Sequence, residues 1–184
     1  MLRRGSLRPR HGFTTIEALV AAVVFLLGLS GLLGALTQAR NATGQARRYM
    51  QATDIANDLV EQIQLWSPDD ARLKPTLGPC LDDPLDTKGV LLQSDENASS
   101  YQAYWLCMKT EKDITISTKW AGLARPEFTD EQGVVTPYDR AYIVQEQQVR
   151  PGVKRLQIWV KVRYEDASGA HVVTTQAMRL RMGI

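Results

Sequence analysis

From Ala18 to Leu36 the chain reads ALVAAVVFLLGLSGLLGAL, with no charged residue. As a helix rising ~1.5 Å per residue, such a run crosses a hydrocarbon core of about 30 Å. A second pattern continues from its end. Ala35, Ala39, Ala42, Ala46, Tyr49, Thr53, Ala56, Val60 and Ile63 recur at alternating spacings of four and three, and Ile55 and Leu59 widen the line distally. That period is helical. Arg40, Arg47, Arg48, Asp54, Asp58 and Glu61 fall between the stripe positions, so the opposite face is polar. Pro68, just after Trp66, supplies a stop. The pattern predicts one helix from Phe13 to Trp66, roughly 80 Å long, apolar all round at first and amphipathic afterwards. Its small stripe residues favour close docking on a sheet; a long membrane-anchored coiled coil is the alternative.

Residues 67 to 100 carry Pro68, Pro75, Pro79, Pro84, Gly78 and Gly89 and then SDENASS, which reads as an irregular connection. Strands are expected beyond it. Tyr101 to Met108 is an aromatic-rich run, Ile114 and Ile116 mark a short strand, and GLARPEFTDEQG reads as a loop. Between 155 and 165, Leu156, Ile158, Val160, Val162 and Tyr164 alternate with mostly polar residues, predicting a strand with one buried face. The same alternation turns Trp159 toward solvent or a partner. Glu165-Asp166-Ala167-Ser168-Gly169 is a turn, and His171 to Met182 returns as the second arm of a hairpin. A helix followed by antiparallel strands is the α+β order.

One acid interrupts the apolar logic. Glu17 opens the uncharged run in HGFTTIEALVAA. A carboxylate at the centre of a transmembrane helix costs roughly 2.5–3.5 kcal/mol by insertion scales, and less near an interface. Solvation at the headgroup level would remove the problem without giving the residue a purpose. An ordinary single-pass anchor leaves Glu17 unexplained. So does a secretory signal cut after Thr37-Gln38-Ala39, and its apolar run would exceed the usual ~7–15 residues. Arg3-Arg4 is a weak twin-arginine signal, and no cysteine closely follows the run as a lipoprotein anchor would need.

The charge balance points the same way. The chain has 22 basic and 20 acidic residues, and Arg3, Arg4, Arg8 and Arg10 precede the first acid. Without those four, 18 basic residues face 20 acidic ones. The body is therefore no polyanion binder by composition, and nucleic acid is not indicated. A basic leader before an apolar stretch places that end in the cytoplasm.

Gly12-Phe13-Thr14-Thr15-Ile16-Glu17, behind the basic leader and ahead of the apolar run, resembles the type III signal of type IV prepilins and pseudopilins. Thr15 stands where leucine is frequent in that family, and His11 where lysine or arginine is usual. The resemblance implies cleavage between Gly12 and Phe13 by a membrane-embedded prepilin peptidase. It also implies N-methylation of Phe13 by the same enzyme, and pairing of Glu17 with the Phe13 amine of a neighbouring subunit in a filament. Together with QATDIANDLVEQI, the stretch is most similar to the PilV class of minor pilins, over about the first third of the chain. The expected layout is a leader at 1–12, a transmembrane and filament-core half-helix at 13–36, an amphipathic half-helix at 37–66, and a periplasmic α+β head at 67–184. The implied partners are the prepilin peptidase/N-methyltransferase, other minor pilins, the major pilin and the inner-membrane assembly platform. The implied location is the inner membrane and then the filament. A minor pseudopilin of a type II secretion system shares these features. A single-pass inner-membrane protein with a periplasmic binding domain is the reading from another class.

Cys80 and Cys107 are the only cysteines. An even pair in an oxidising compartment predicts one disulfide; two separate, partly buried thiols are the alternative. Gly28, Gly31 and Gly34 read as points of close helix contact in a membrane, with a segment able to stretch inside a filament as the alternative. No enzyme constellation is found. His11 and His171 are far apart, and there is no metal-ligand cluster, phosphate loop or nucleophile elbow. Asp69-Asp70 and Asp82-Asp83 read as solvated loop acids, with calcium ligation the alternative. No cofactor is expected.

Overall fold

The computed structural model describes residues 13–110, 126–129 and 133–182. The elements in chain order are helix α1 (Thr15–Leu65), helix α2 (Ser99–Cys107), and strands β1 (Glu127–Thr129), β2 (Val135–Pro137), β3 (Asp139–Arg150), β4 (Val153–Asp166) and β5 (Gly169–Met182). The molecule is α+β, as the element order predicts. It comprises two compact units, Met1–Ala46 and Arg47–Ile184.

In the first unit the chain is helical from Thr15 onward, and every residue from Phe13 to Thr43 is exposed. Gly28, Gly31 and Gly34 do not break the helix, and a Cβ at any of them would meet only open space. By length and composition this helix is able to cross a membrane.

In the second unit, β3, β4 and β5 form an antiparallel meander with β4 central. Pro151-Gly152 joins the first two strands; Gly152 has φ +75°, the left-handed value that position i+2 of a type II turn requires. Along β4 the even positions Leu156, Ile158, Val160 and Val162 pack against Ala52, Ala56, Leu59 and Ile63 of α1. The expected stripe is thus displaced slightly around the helix. Tyr49 remains exposed and Ala52, outside the stripe, is fully buried. Two alanines at this contact let the helix lie close to the sheet. An Ala56→Leu substitution is expected to lower unfolding stability by about 1–3 kcal/mol, because a packed contact has no room for three more carbons. Chemical denaturation of the full-length protein measures it.

The helix ends near Trp66 with no basic residue in its last turn. Arg179 of β5 supplies the missing donor: its Nη1 bonds the carbonyls of Ile63 and Trp66, both at 2.9 Å. Tyr138 adds a second tie, its hydroxyl donating to Gln51 Oε1 at 3.0 Å. Burial pushes that phenol's pKa up to about 12.

The other face of the sheet is covered as well. Residues 67–98 are wound into three single 3₁₀ turns, Ala71–Leu73, Pro79–Leu81 and Val90–Leu92. With α2 they place Cys80, Leu91, Tyr101, Tyr104 and Met108 over Ala141, Ile143 and Trp159. Two expectations are corrected here. Tyr101 to Met108 is not a strand, since residues 99–107 form α2. Trp159 does not face solvent: it is 5% exposed, because the irregular connection folds back over the side that the alternation assigns to water.

The stretch read as a loop, GLARPEFTDEQG, contains β1, which pairs with β2 through Phe128 and Thr136. The strand expected at Ile114 and Ile116 lies outside the described residues.

Candidate functional site

The first candidate is the start of α1. Gly12, on one side of the expected cleavage point, lies outside the described residues; Phe13, on the other side, is 80% exposed. The first helical residue is Thr15, which makes Thr14 the N-cap and Glu17 the third position. Their bonds are reciprocal. Thr14 N and Oγ1 donate to Glu17 Oε2 at 3.0 and 2.8 Å, while Glu17 N donates to Thr14 Oγ1 at 3.3 Å. This is a capping box, which satisfies two amide donors that a helix start otherwise leaves open. The carboxylate also sits at the positive end of the helix dipole. Glu17 therefore has a local role that the sequence reading overlooked, although Thr14-x-x-Glu17 carries its signature. Glu17 Oε1 has no hydrogen-bond partner among the described residues.

The second candidate is the cysteine pair. Cys80 and Cys107 are joined by a disulfide, with their Cα atoms 5.8 Å apart. Cys80 is fully buried, and its amide points at Cys107 Sγ, 3.2 Å away. Gly78 passes so close that a Cβ there would lie 3.0 Å from the same sulfur, at φ +126°. The bridge ties the 3₁₀ turn at Pro79–Leu81 to the end of α2.

Buried cations lie beneath this cover. Lys161 is 1% exposed, and its Nζ donates to Thr174 Oγ1 at 3.3 Å. Burial pushes its pKa down, while Asp86 and Asp83 pull it back up. Arg163 bonds the Leu91 carbonyl through Nε at 3.1 Å, Glu96 through Nη1 at 2.8 Å and Glu165 through Nη2 at 2.5 Å. Neither cation was legible as buried from the sequence. Their alternation on β4 matches an ordinary solvated face.

The loop acids serve backbone groups. Asp70 Oδ1 accepts from Arg72 N at 2.9 Å, and its carboxylate also takes the Arg72 guanidinium, which holds the Asp70 pKa below its usual range. Asp83 Oδ2 accepts from Thr87 Oγ1 and Lys88 N. Among the described residues, no group of three or more His, Cys, Asp or Glu is placed to hold a metal ion.

A Ser-His-Asp set does meet at the β4–β5 turn. His171 Nε2 is 2.9 Å from Ser168 Oγ and 3.0 Å from Asp166 Oδ1. Both partners thus share one ring nitrogen. An acyl-transfer triad needs them on opposite nitrogens, so that the acid orients the ring while the other nitrogen takes the serine proton. Here Ser168 Oγ also donates directly to Asp166 Oδ1 at 2.5 Å, and the imidazole stacks on Tyr164 with centroids 5.1 Å apart. Burial raises the Asp166 pKa, but the hydrogen bonds from Ser168 and His171 outweigh it and hold it low. The arrangement fastens a hairpin and does not activate a nucleophile.

Compared with known proteins, the chain matches no family model, no curated protein and no solved structure. The geometry and the sequence motif carry the functional reading between them.

Proposed function

We propose that this protein is a minor pilin of the type IV pilus. In this reading the chain is cut between Gly12 and Phe13, Phe13 is methylated, and the subunit joins other minor pilins at the filament tip, priming assembly. One observation supports it above the rest. The helix begins immediately after the GF junction, with a capped Glu17, and it runs unbroken from an exposed apolar stretch into residues buried on an antiparallel sheet. A plain anchor needs no such continuity, because a flexible linker would connect its domain equally well.

The charge logic follows. Cleavage leaves a cationic amine on Phe13, next to the N-cap. Glu17 Oε2 is occupied by Thr14, so Oε1 is the oxygen left to meet a neighbouring subunit's amine. A charge pair desolvated in a filament core strongly penalises any register that leaves one member unpaired.

Intact mass and N-terminal sequencing of the protein from its native membrane test the first step. The expected chain starts at Phe13 and carries one additional methyl group. A chain starting at Met1, or cut near Ala39, ends the pilin reading. For a correctly processed chain, loss of exoprotein secretion on deletion, with surface pili unchanged, would move the assignment to a pseudopilin.

A further inference from the structure

An open pocket of about 670 Å³ lies beside α2, within the size range of small-molecule sites. Glu96, Asn97, Tyr101, Gln102, Trp105, Leu106 and Asp139 line it. We propose that this pocket is a binding site for a neutral saccharide, with a pyranose ring seated against Trp105. The inference does not depend on the function proposed above.

The wall is aromatic and firmly held. Tyr101 and Trp105 are four residues apart on α2, hence on one helix face. Their rings are parallel to within 4° and 6.2 Å apart. Behind Tyr101 sits the Arg163 guanidinium, 5.3 Å from the ring centroid and 3% exposed. Tyr101 is itself 6% exposed. Trp105, only partly buried, is therefore the aromatic surface left to a ligand, held beside a buried ring and a buried guanidinium. Preorganised walls of this kind reduce the ordering cost of binding.

The polar lining selects the ligand. Among the described residues it holds two carboxylates and two carboxamides, but no lysine, arginine or histidine. Anions, including nucleic acid and polyphosphate, find no partner among those residues. Arg163 is shared between Glu96 at 2.8 Å and Glu165 at 2.5 Å and offsets only part of their charge, so a cationic peptide is the rival ligand that the test below includes. The remaining groups match hydroxyls: carboxylates accept, and Asn97 and Gln102 both donate and accept. A saccharide presents such hydroxyls around its rim and a C–H face to the indole.

The test uses the full-length protein in lauryldimethylamine oxide micelles, since maltoside and glucoside detergents would occupy the site. Saturation-transfer NMR is run against methyl glycosides of glucose, galactose, mannose and N-acetylglucosamine, and against their di- and trisaccharides. The expected result is transfer to the ring C–H protons of at least one probe, with affinity at least tenfold weaker in Trp105→Ala and in Asn97→Ala/Gln102→Ala. Asn97 and Gln102 are exposed, so the double variant keeps its fold and decides the matter if the tryptophan variant unfolds. Absence of transfer to every saccharide overturns the proposal. Transfer undiminished in the double variant does so as well, and so does binding confined to a glucuronate or to a tri-lysine peptide.

Discussion

A chain carrying Glu17→Gln is expected to be cut and methylated normally and yet to be depleted at least tenfold from sheared filament fractions. The choice of glutamine follows from the helix start. In a capping box, Gln serves at the third position as Glu does, so the contacts with Thr14 survive while the charge is lost. Glu17→Val removes both, and costs the helix start about 1 kcal/mol more. If the electrostatic pairing between subunits governs entry, the two variants fail alike, because each leaves a neighbour's amine unpaired in an apolar core. If capping is what matters, Glu17→Gln enters filaments at wild-type levels and only Glu17→Val fails. Quantitative mass spectrometry of the filament and membrane fractions separates the two outcomes.

The second large effect is expected from Cys80→Ser/Cys107→Ser. The bridge spans 27 residues, for which the chain-entropy model gives about 3–4 kcal/mol. The loss should be local before it is global. Residues 67–98 contain only single 3₁₀ turns, so their cohesion rests on a few buried side chains, on isolated hydrogen bonds to the sheet such as those of Thr76 with Val144 and of Arg163 with the Leu91 carbonyl, and on this bridge. Once it is gone, the cover lifts from the sheet and Trp159 meets water, while the opposite face stays closed by α1. Tryptophan emission should shift to the red at a lower denaturant concentration than the helical circular dichroism signal is lost. A single coincident transition at the wild-type midpoint would show that the bridge contributes nothing.

Legibility varied with the kind of order involved. The long helix could be read to within about two residues at each end, because a period near 3.6 and the proline at 68 are local signals. The β4–β5 hairpin was equally plain from its alternation and its turn. β3 was overlooked, although Arg140 to Val149 leads directly into Pro151-Gly152, a turn dipeptide between two strand-like runs. Trp159, Lys161 and Arg163 were beyond any periodicity rule. Whether the second side of a sheet is wet depends on where a proline-rich segment lies in space, and its own sequence does not encode that. α2 was misread because aromatic residues favour strands, whereas here Tyr101 and Tyr104 are buried against the sheet and Cys107 is held by the disulfide, a tertiary override of local preference. Of the candidate sites, the GFTTIE motif was legible and its internal hydrogen bonding was not.

The Arg179 tie has a consequence for how the head is made. Its two acceptors, Ile63 and Trp66, lie 116 and 113 residues earlier in the chain. Val173 and Ala177 of the same strand close the core against residues of α1. Synthesis therefore produces the helix long before the strand that completes its contacts. Contacts so distant in sequence form slowly, since the loop entropy must be met before they stabilise anything. Until the last strand has emerged, the amphipathic half of α1 has no finished surface to rest on. The strand made last is thus the one that closes the head.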